Sequence, residues 1–105
     1  MIKKKIGTLK DLKKNNQFSR WISDHDILVY KYNNKIEAIS NICPHFGGPI
    51  GYHEIKTVNN QPVFTCLWHN LQFLVTSGKC TTHNNLKLRK YDVEVENEEI
   101  FVYIN

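Results

Sequence analysis

Two short motifs constrain this chain more than anything else in it: Cys43-Pro44-His45 and Cys66-Leu67-Trp68-His69. Each offers one thiol and one imidazole. Donors of this softness take transition metals rather than calcium or magnesium. Residues 43 to 51 run Cys-Pro-His-Phe-Gly-Gly-Pro-Ile-Gly, a loop by its glycines and prolines, and residues 66 to 70 read as a second loop. Between them, residues 52 to 58 suit a short strand, Asn59-Asn60 a turn, and residues 62 to 65 the returning strand. Pro62 confines that return to an edge or a strand start. A hairpin set between two loops brings its own ends together, so the four donors are expected to converge.

The remainder reads as mostly β. Ile27 to Tyr32 is a strand, Asn33-Asn34 is a turn of residues that tolerate positive φ, and Lys35 to Ser40 returns. Val93 and Val95 alternate with Asp92, Glu94 and Glu96, the period of a half-buried strand. Ile100, Val102 and Ile104 alternate again after Asn97-Glu98, so Tyr91 to Ile104 reads as a closing hairpin. Thr8 to Lys14 suits one helical turn capped by Thr8. A length of 105 residues fits one domain. A domain this small buries a modest core and gains from a metal centre that ties distant segments together.

The stretch Cys43-Pro44-His45-Phe46-Gly47-Gly48-Pro49, taken with Cys66-Leu67-Trp68-His69, resembles the signature of the Rieske [2Fe–2S] proteins. The likeness covers most of the chain. Ser77-Gly78 matches the family's turn after the second motif, and Tyr91 to Ile104 matches its last hairpin. The resemblance implies an all-β, Rieske-like fold of stacked antiparallel sheets. It implies a single Rieske domain over residues 1–105, with a cluster-binding subdomain at about 42–75 inserted between core strands. It also implies one [2Fe–2S] cluster of the Rieske type, with Cys43 and Cys66 on one iron and His45 and His69 on the other. The other reading of the four donors is a structural zinc, although zinc sites favour Cys-x-x-Cys and His-x3–5-His pairs.

By the same resemblance the chain is a one-electron carrier. It would pass electrons from a flavin-dependent reductase to a terminal oxygenase or a similar redox enzyme, with no catalytic residue of its own. Two alternatives stand beside this: a small subunit of a larger reductase of the nitrite-reductase kind, and a redox- or iron-sensing module. An oxygenase needs a mononuclear iron held by two histidines and a carboxylate, and after Cys80 the only histidine is His83. In the high-potential branch of the family, a disulfide joins the two loops at positions matching Gly48 and Trp68. A serine and a tyrosine at positions matching Leu71 and Phe73 donate to sulfur there. None of these four residues can do so here, which points to the lower part of the Rieske potential range.

Composition narrows the partners. The net charge of +4 is spread over dispersed lysines, with weak clusters at Lys3-Lys4-Lys5 and Lys13-Lys14, and reads as a solvated face. Aromatic residues do not interleave with the basic ones, which argues against nucleic acid. No apolar run approaches the roughly 20 residues of a membrane span. Met1 to Gly7 carries charge without the apolar segment of a secretory leader. An odd count of three cysteines argues against a disulfide scaffold and for a reducing compartment. The expectation is a cytoplasmic monomer with redox proteins as partners. Cys80 is read as a buried free thiol, Trp21 as core, His25 as a solvated turn residue, His53 as surface and His83 as an inert loop residue. Phe46 and Trp68 are read as shielding the cluster, and Phe73 as packing beneath its loop.

Overall fold

Ile27-Leu28-Val29-Tyr30 shows no polar alternation because both faces of its strand are buried. All four residues are at most 1% exposed. Side chains alternate across a strand, so Ile27 and Val29 enter one core while Leu28 and Tyr30 enter another. We describe a computed structural model, in which every residue except His69 and Asn84 is described. Strand β3 (His25–Tyr32) pairs antiparallel with β2 (Gln17–Ile22) on one side and β4 (Lys35–Ser40) on the other. The short β8 (Lys90–Tyr91) extends this central sheet beyond β4.

One face of the central sheet packs on a sheet of β1 (Ile2–Thr8), β10 (Glu99–Ile104) and β9 (Val93–Glu96), in the order β1-β10-β9. Ile6, Ile100, Val102 and Ile104 meet Ile27, Val29 and Ala38 there. Leu12 of the five-residue helix α1 (Leu9–Lys13) joins them. The other face packs on a small sheet of β5 (Lys56–Val58), β6 (Gln61–Thr65) and β7 (Gln72–Leu74). Phe64 and Phe73 pair across β6 and β7 and lie on Leu28, Tyr30 and Ile39. Fully burying each such ring stabilises by about 2–3 kcal/mol. Cys43, Cys66 and Cys80 belong to this second core. The fold is thus nearly all β, in stacked antiparallel sheets. Among the described residues no helix is long and apolar enough to cross a membrane.

The three asparagine-led turns form as their chemistry suggests. Asn33 and Asn34 have φ of 51° and 63°, Asn59 and Asn60 of 51° and 64°, and Asn97 and Glu98 of 50° and 68°. Two successive left-handed residues match the twist of the flanking strands. Two expectations need correction here. Trp21 is 60% exposed, on β2 at the edge of the central sheet. His25 is the first residue of β3, with its Nδ1 3.0 Å from the Tyr91 hydroxyl and the two rings edge to face. Neither β1 nor β2 is legible in the periodicity. The Lys3-Lys4-Lys5 run lies in β1, and Lys3 reaches Glu94 and Glu96 on β9, both at 2.5 Å.

Two consequences can be measured. Glu98 alone of the six turn residues is neither asparagine nor glycine, and left-handed backbone costs such a residue on the order of 1 kcal/mol. Glu98→Gly should therefore raise unfolding stability by about 0.5 kcal/mol after glycine's own entropic cost, as read from denaturant midpoints. The second concerns Asp11, whose carboxylate accepts the Thr8 N–H at 2.9 Å and the Thr8 hydroxyl at 3.3 Å, with Arg20 at 3.6 Å. The Thr8 N–H, first, and the Arg20 charge hold its carboxyl below the usual aspartate range. A lowered folded-state pKa gives stability that is present above the unfolded value and lost as pH falls through the folded one. Asp11→Ala should therefore lower the melting temperature at neutral pH, and the gap to the parent should close below about pH 4.

Candidate metal centre

The first loop closes on itself before it reaches the second. Ile42 and Pro49 form a lone bridge, the Cys43 N–H donates to Gly48 O at 2.8 Å, and the Gly47 N–H donates to Cys43 O at 2.8 Å. Gly47 makes the reversal at a φ of 81°, where a side chain would be strained. Asn41, 6% exposed, fixes the base of the loop. Its Oδ1 accepts the Gly51 N–H at 2.6 Å, its backbone carbonyl accepts the Ile50 N–H at 2.9 Å, and its Nδ2 donates to Asp26 at 3.2 Å. Gln17 of β2 holds the far side, donating to Gly51 O at 3.0 Å and His53 O at 3.1 Å.

The second loop leaves β6 and returns to β7. Its neck is the Cys66 N–H to Leu71 O bond at 2.8 Å, and the Leu67 N–H reaches Pro49 O at 3.4 Å, which joins the two loops. Cys43 and Cys66 are 2% and 1% exposed, and their thiols lie within hydrogen-bond reach of each other. Burial first, and the Cys43 thiol beside it, push the Cys66 thiol up, while the Trp68 N–H directed at its sulfur pulls the other way. Ionising both thiols in that setting calls for positive charge between them, which metal ions supply.

Gly48 lies against this pair. A Cβ there would stand 2.7 Å from Cys66 Sγ and 3.2 Å from Trp68 Cβ. Positions 48 and 68 are therefore neighbours in space, although neither residue can bridge the loops. All three cysteines are free of disulfides. His45 is half-buried, its ring 4.0 Å from that of Phe46 between centroids. His69, the fourth expected ligand, lies outside the described residues. Among the described residues no three histidine, cysteine or acidic side chains converge on one point. A two-iron cluster needs paired ligands on separate irons and not such a triad, so a buried thiol pair with an imidazole at the loop tip fits it.

Phe46 and Trp68 do not form a buried lid. They are 62% and 52% exposed and, with Tyr52 at 66% and Ile42 at 39%, ring the loops with apolar surface. Phe73, at 0% exposure, packs in the core that holds both cysteines, and Cys80 is buried there at 5%. His53 is half-buried, with its ring edge-on to Tyr52. His83 is the residue that the sequence reading missed. Its ring stands 5.6 Å from that of His45, tilted by 46°. The only hint in the sequence is a histidine three residues after the buried Cys80.

The family model for the Rieske [2Fe-2S] domain matches residues 3–101. A human "Rieske domain-containing protein" is 21% identical over 115 residues, spanning 95% of this chain and 73% of that one. The ferredoxin of carbazole 1,9a-dioxygenase from Nocardioides aromaticivorans IC177 superposes with a TM-score of 0.80 at 24% identity, over 100% of both chains. A chain from Mycobacterium tuberculosis, described as a candidate small subunit of NADH-dependent nitrite reductase, superposes at 0.81 with 12% identity, over 99% of this chain and 96% of that one. The two loops, the thiol pair between them and the sheets that carry them place the chain in the Rieske [2Fe–2S] domain family, whose cofactor is a two-iron, two-sulfide cluster held by cysteine and histidine.

Proposed function

We propose that this chain is a one-electron carrier whose [2Fe–2S] cluster is held by Cys43 and Cys66 on one iron and by His45 and His69 on the other. The observation that carries the reading is the meeting of two buried thiols from separate loops, beside a half-exposed histidine on a surface ringed with apolar side chains. When bound, the cluster supplies reversible storage of a single electron. Residues 42–75 act as the cluster-binding subdomain of one Rieske domain over 1–105. Within it Cys43 and Cys66 hold negative charge away from water. The Trp68 N–H donates toward the Cys66 sulfur. His45 stands where a docked protein meets it.

The partner docks over Phe46 to Pro49 and the loop from Trp68 to Leu71. A flavin-dependent reductase upstream and a terminal oxygenase downstream are the partners we assign, and the substrate chemistry belongs to the oxygenase. The dioxygenase named with the carbazole ferredoxin supports that pairing. The nitrite reductase neighbour supports a second reading, as the small subunit of a reductase. Co-purification with a large reductase at fixed stoichiometry would favour that reading. In either case the chain works in the cytoplasm, as a monomer outside its complexes.

Low-temperature EPR of the dithionite-reduced protein tests the core of this assignment. The expected result is a rhombic signal whose average g lies below that of an all-cysteine cluster, lost in Cys66→Ser and in His69→Ala. Stoichiometric zinc in an EPR-silent protein overturns it. Because Leu71 and Phe73 have no donor to offer sulfur, the midpoint of the same preparation should fall at roughly −150 to 0 mV. A value above about +150 mV contradicts the argument from missing donors.

Gly48→Ala is a local steric test. The new methyl meets Cys66 Sγ at 2.7 Å and Trp68 Cγ at 3.1 Å, so sulfur or indole has to move. Iron and acid-labile sulfide per chain should fall while the far-ultraviolet spectrum keeps its strand signature. Full loading with an unchanged EPR spectrum would show that the cradle is looser than the close approach at Gly48 implies.

A further inference from the structure

The loop at residues 81–86 is tied to the fold at several points. The Cys80 N–H donates to Leu86 O at 3.0 Å, the Leu86 N–H donates to His83 O at 3.0 Å, and the Thr81 N–H donates to Gln72 O at 2.9 Å. The backbone at His83 is thus set both by its own turn and by the first residue of β7. The imidazole is held as well. Its Nδ1 lies 2.9 Å from Thr82 Oγ1 and 3.9 Å from the Sγ of buried Cys80, and those two atoms are 3.6 Å apart. Two neighbouring polar side chains therefore hold one imidazole, and that imidazole leans on another, the ring of His45.

We propose that His83 is a positioning residue for His45: its ring, anchored by Thr82 and Cys80, fixes the orientation of the loop-tip imidazole. The inference rests on the reading of His45 as an iron ligand. The torsion that turns a histidine ring about its Cβ–Cγ bond has broad wells, so the bond itself restrains the ring weakly. Neighbouring rings have to supply the restraint. Phe46 packs close to the His45 ring at 4.0 Å but is itself 62% exposed on the same loop. His83 comes from a different part of the chain, on a loop pinned to β7, and its contact does not move with the first loop. Groups outside the ligand set that orient a ligating histidine govern metal retention and the electronic structure of the site.

The test uses the full chain with its cluster, as parent and as His83→Ala, His83→Phe, His83→Gln and Thr82→Val. Two quantities are read: the g values of the reduced cluster, and the rate at which a chelator strips iron. His83→Ala should shift the g values and speed iron loss about tenfold. His83→Phe should restore both only as far as the Thr82→Val level, because it keeps a ring beside His45 but lacks the nitrogen that Thr82 and Cys80 hold. Thr82→Val should move both in the same direction by less, because it frees the anchored edge of the ring. Should His83→Ala fail to fold, Thr82→Val decides alone, and parent-like behaviour there overturns the proposal. Parent-like g values in His83→Ala also overturn it, even with a lowered melting temperature, since that pattern belongs to a residue that only holds its loop. Rescue by His83→Gln without rescue by His83→Phe overturns it too, in favour of a hydrogen bond. Failure of the underlying reading looks different: His45→Ala would then keep the parent signal.

Discussion

Two thiols buried side by side are poorly suited to ionisation unless positive charge lies between them. Cys43 and Cys66 are in that position, with burial and mutual proximity both opposing deprotonation at Cys66. Metal loading reverses the balance, so the free energy of binding becomes part of the stability of the loops that carry the thiols. The surrounding structure serves this arrangement. Asn41 clamps the base of the first loop, Leu67 joins the second loop to Pro49, and the bare Cα of Gly48 leaves room for Cys66 sulfur. The first two devices act on backbone, and the third sets the space around a proposed ligand sulfur.

Strand β3 divides the labour of the fold. One of its faces closes the core with β1 and β10, which among the described residues contains no cysteine and no proposed ligand. Its other face floors the core that holds Cys43, Cys66 and Cys80. Stability from the first core does not depend on the metal, whereas the second has thiols among its buried members. The small sheet of β5, β6 and β7 lies on the central sheet through Phe64 and Phe73, which pack with Leu28, Tyr30 and Ile39.

The sequence was most legible where chemistry is local. Paired left-handed residues at Asn33-Asn34 and Asn59-Asn60, the loops at Cys43 and Cys66 and the alternation at Val93 to Ile104 all follow from properties of a few adjacent residues. It was least legible where tertiary pairing overrides pattern. Lys3-Lys4-Lys5 gives no alternation, yet β1 forms because β10 pairs with it and because Glu94 and Glu96 accept Lys3. Trp21 looks like core by size alone, but its place on an edge strand leaves it largely in water. His25 sits between two aspartates like a turn residue, and only the fold brings Tyr91 to its ring. The approach of His83 to His45 spans almost 40 positions of sequence, and no local rule encodes it. Of the four proposed ligands, three have their surroundings described, and their types and spacing were readable before any fold was known.

Charge and apolar surface are distributed unevenly around the molecule. Away from the loops, Lys3 meets Glu94 and Glu96, Lys5 meets Glu99, Arg20 meets Asp11 and Lys90 meets Glu37. Such exposed pairs add little stability and leave the net charge of +4 as it is. Around the loops the pattern changes to exposed Ile42, Phe46, Tyr52 and Trp68. A protein docking on this surface meets it through close apolar contact. Recognition of that kind depends on short-range fit and weakens only slightly as salt rises. For the proposed carrier this favours a partner whose own contact face is apolar.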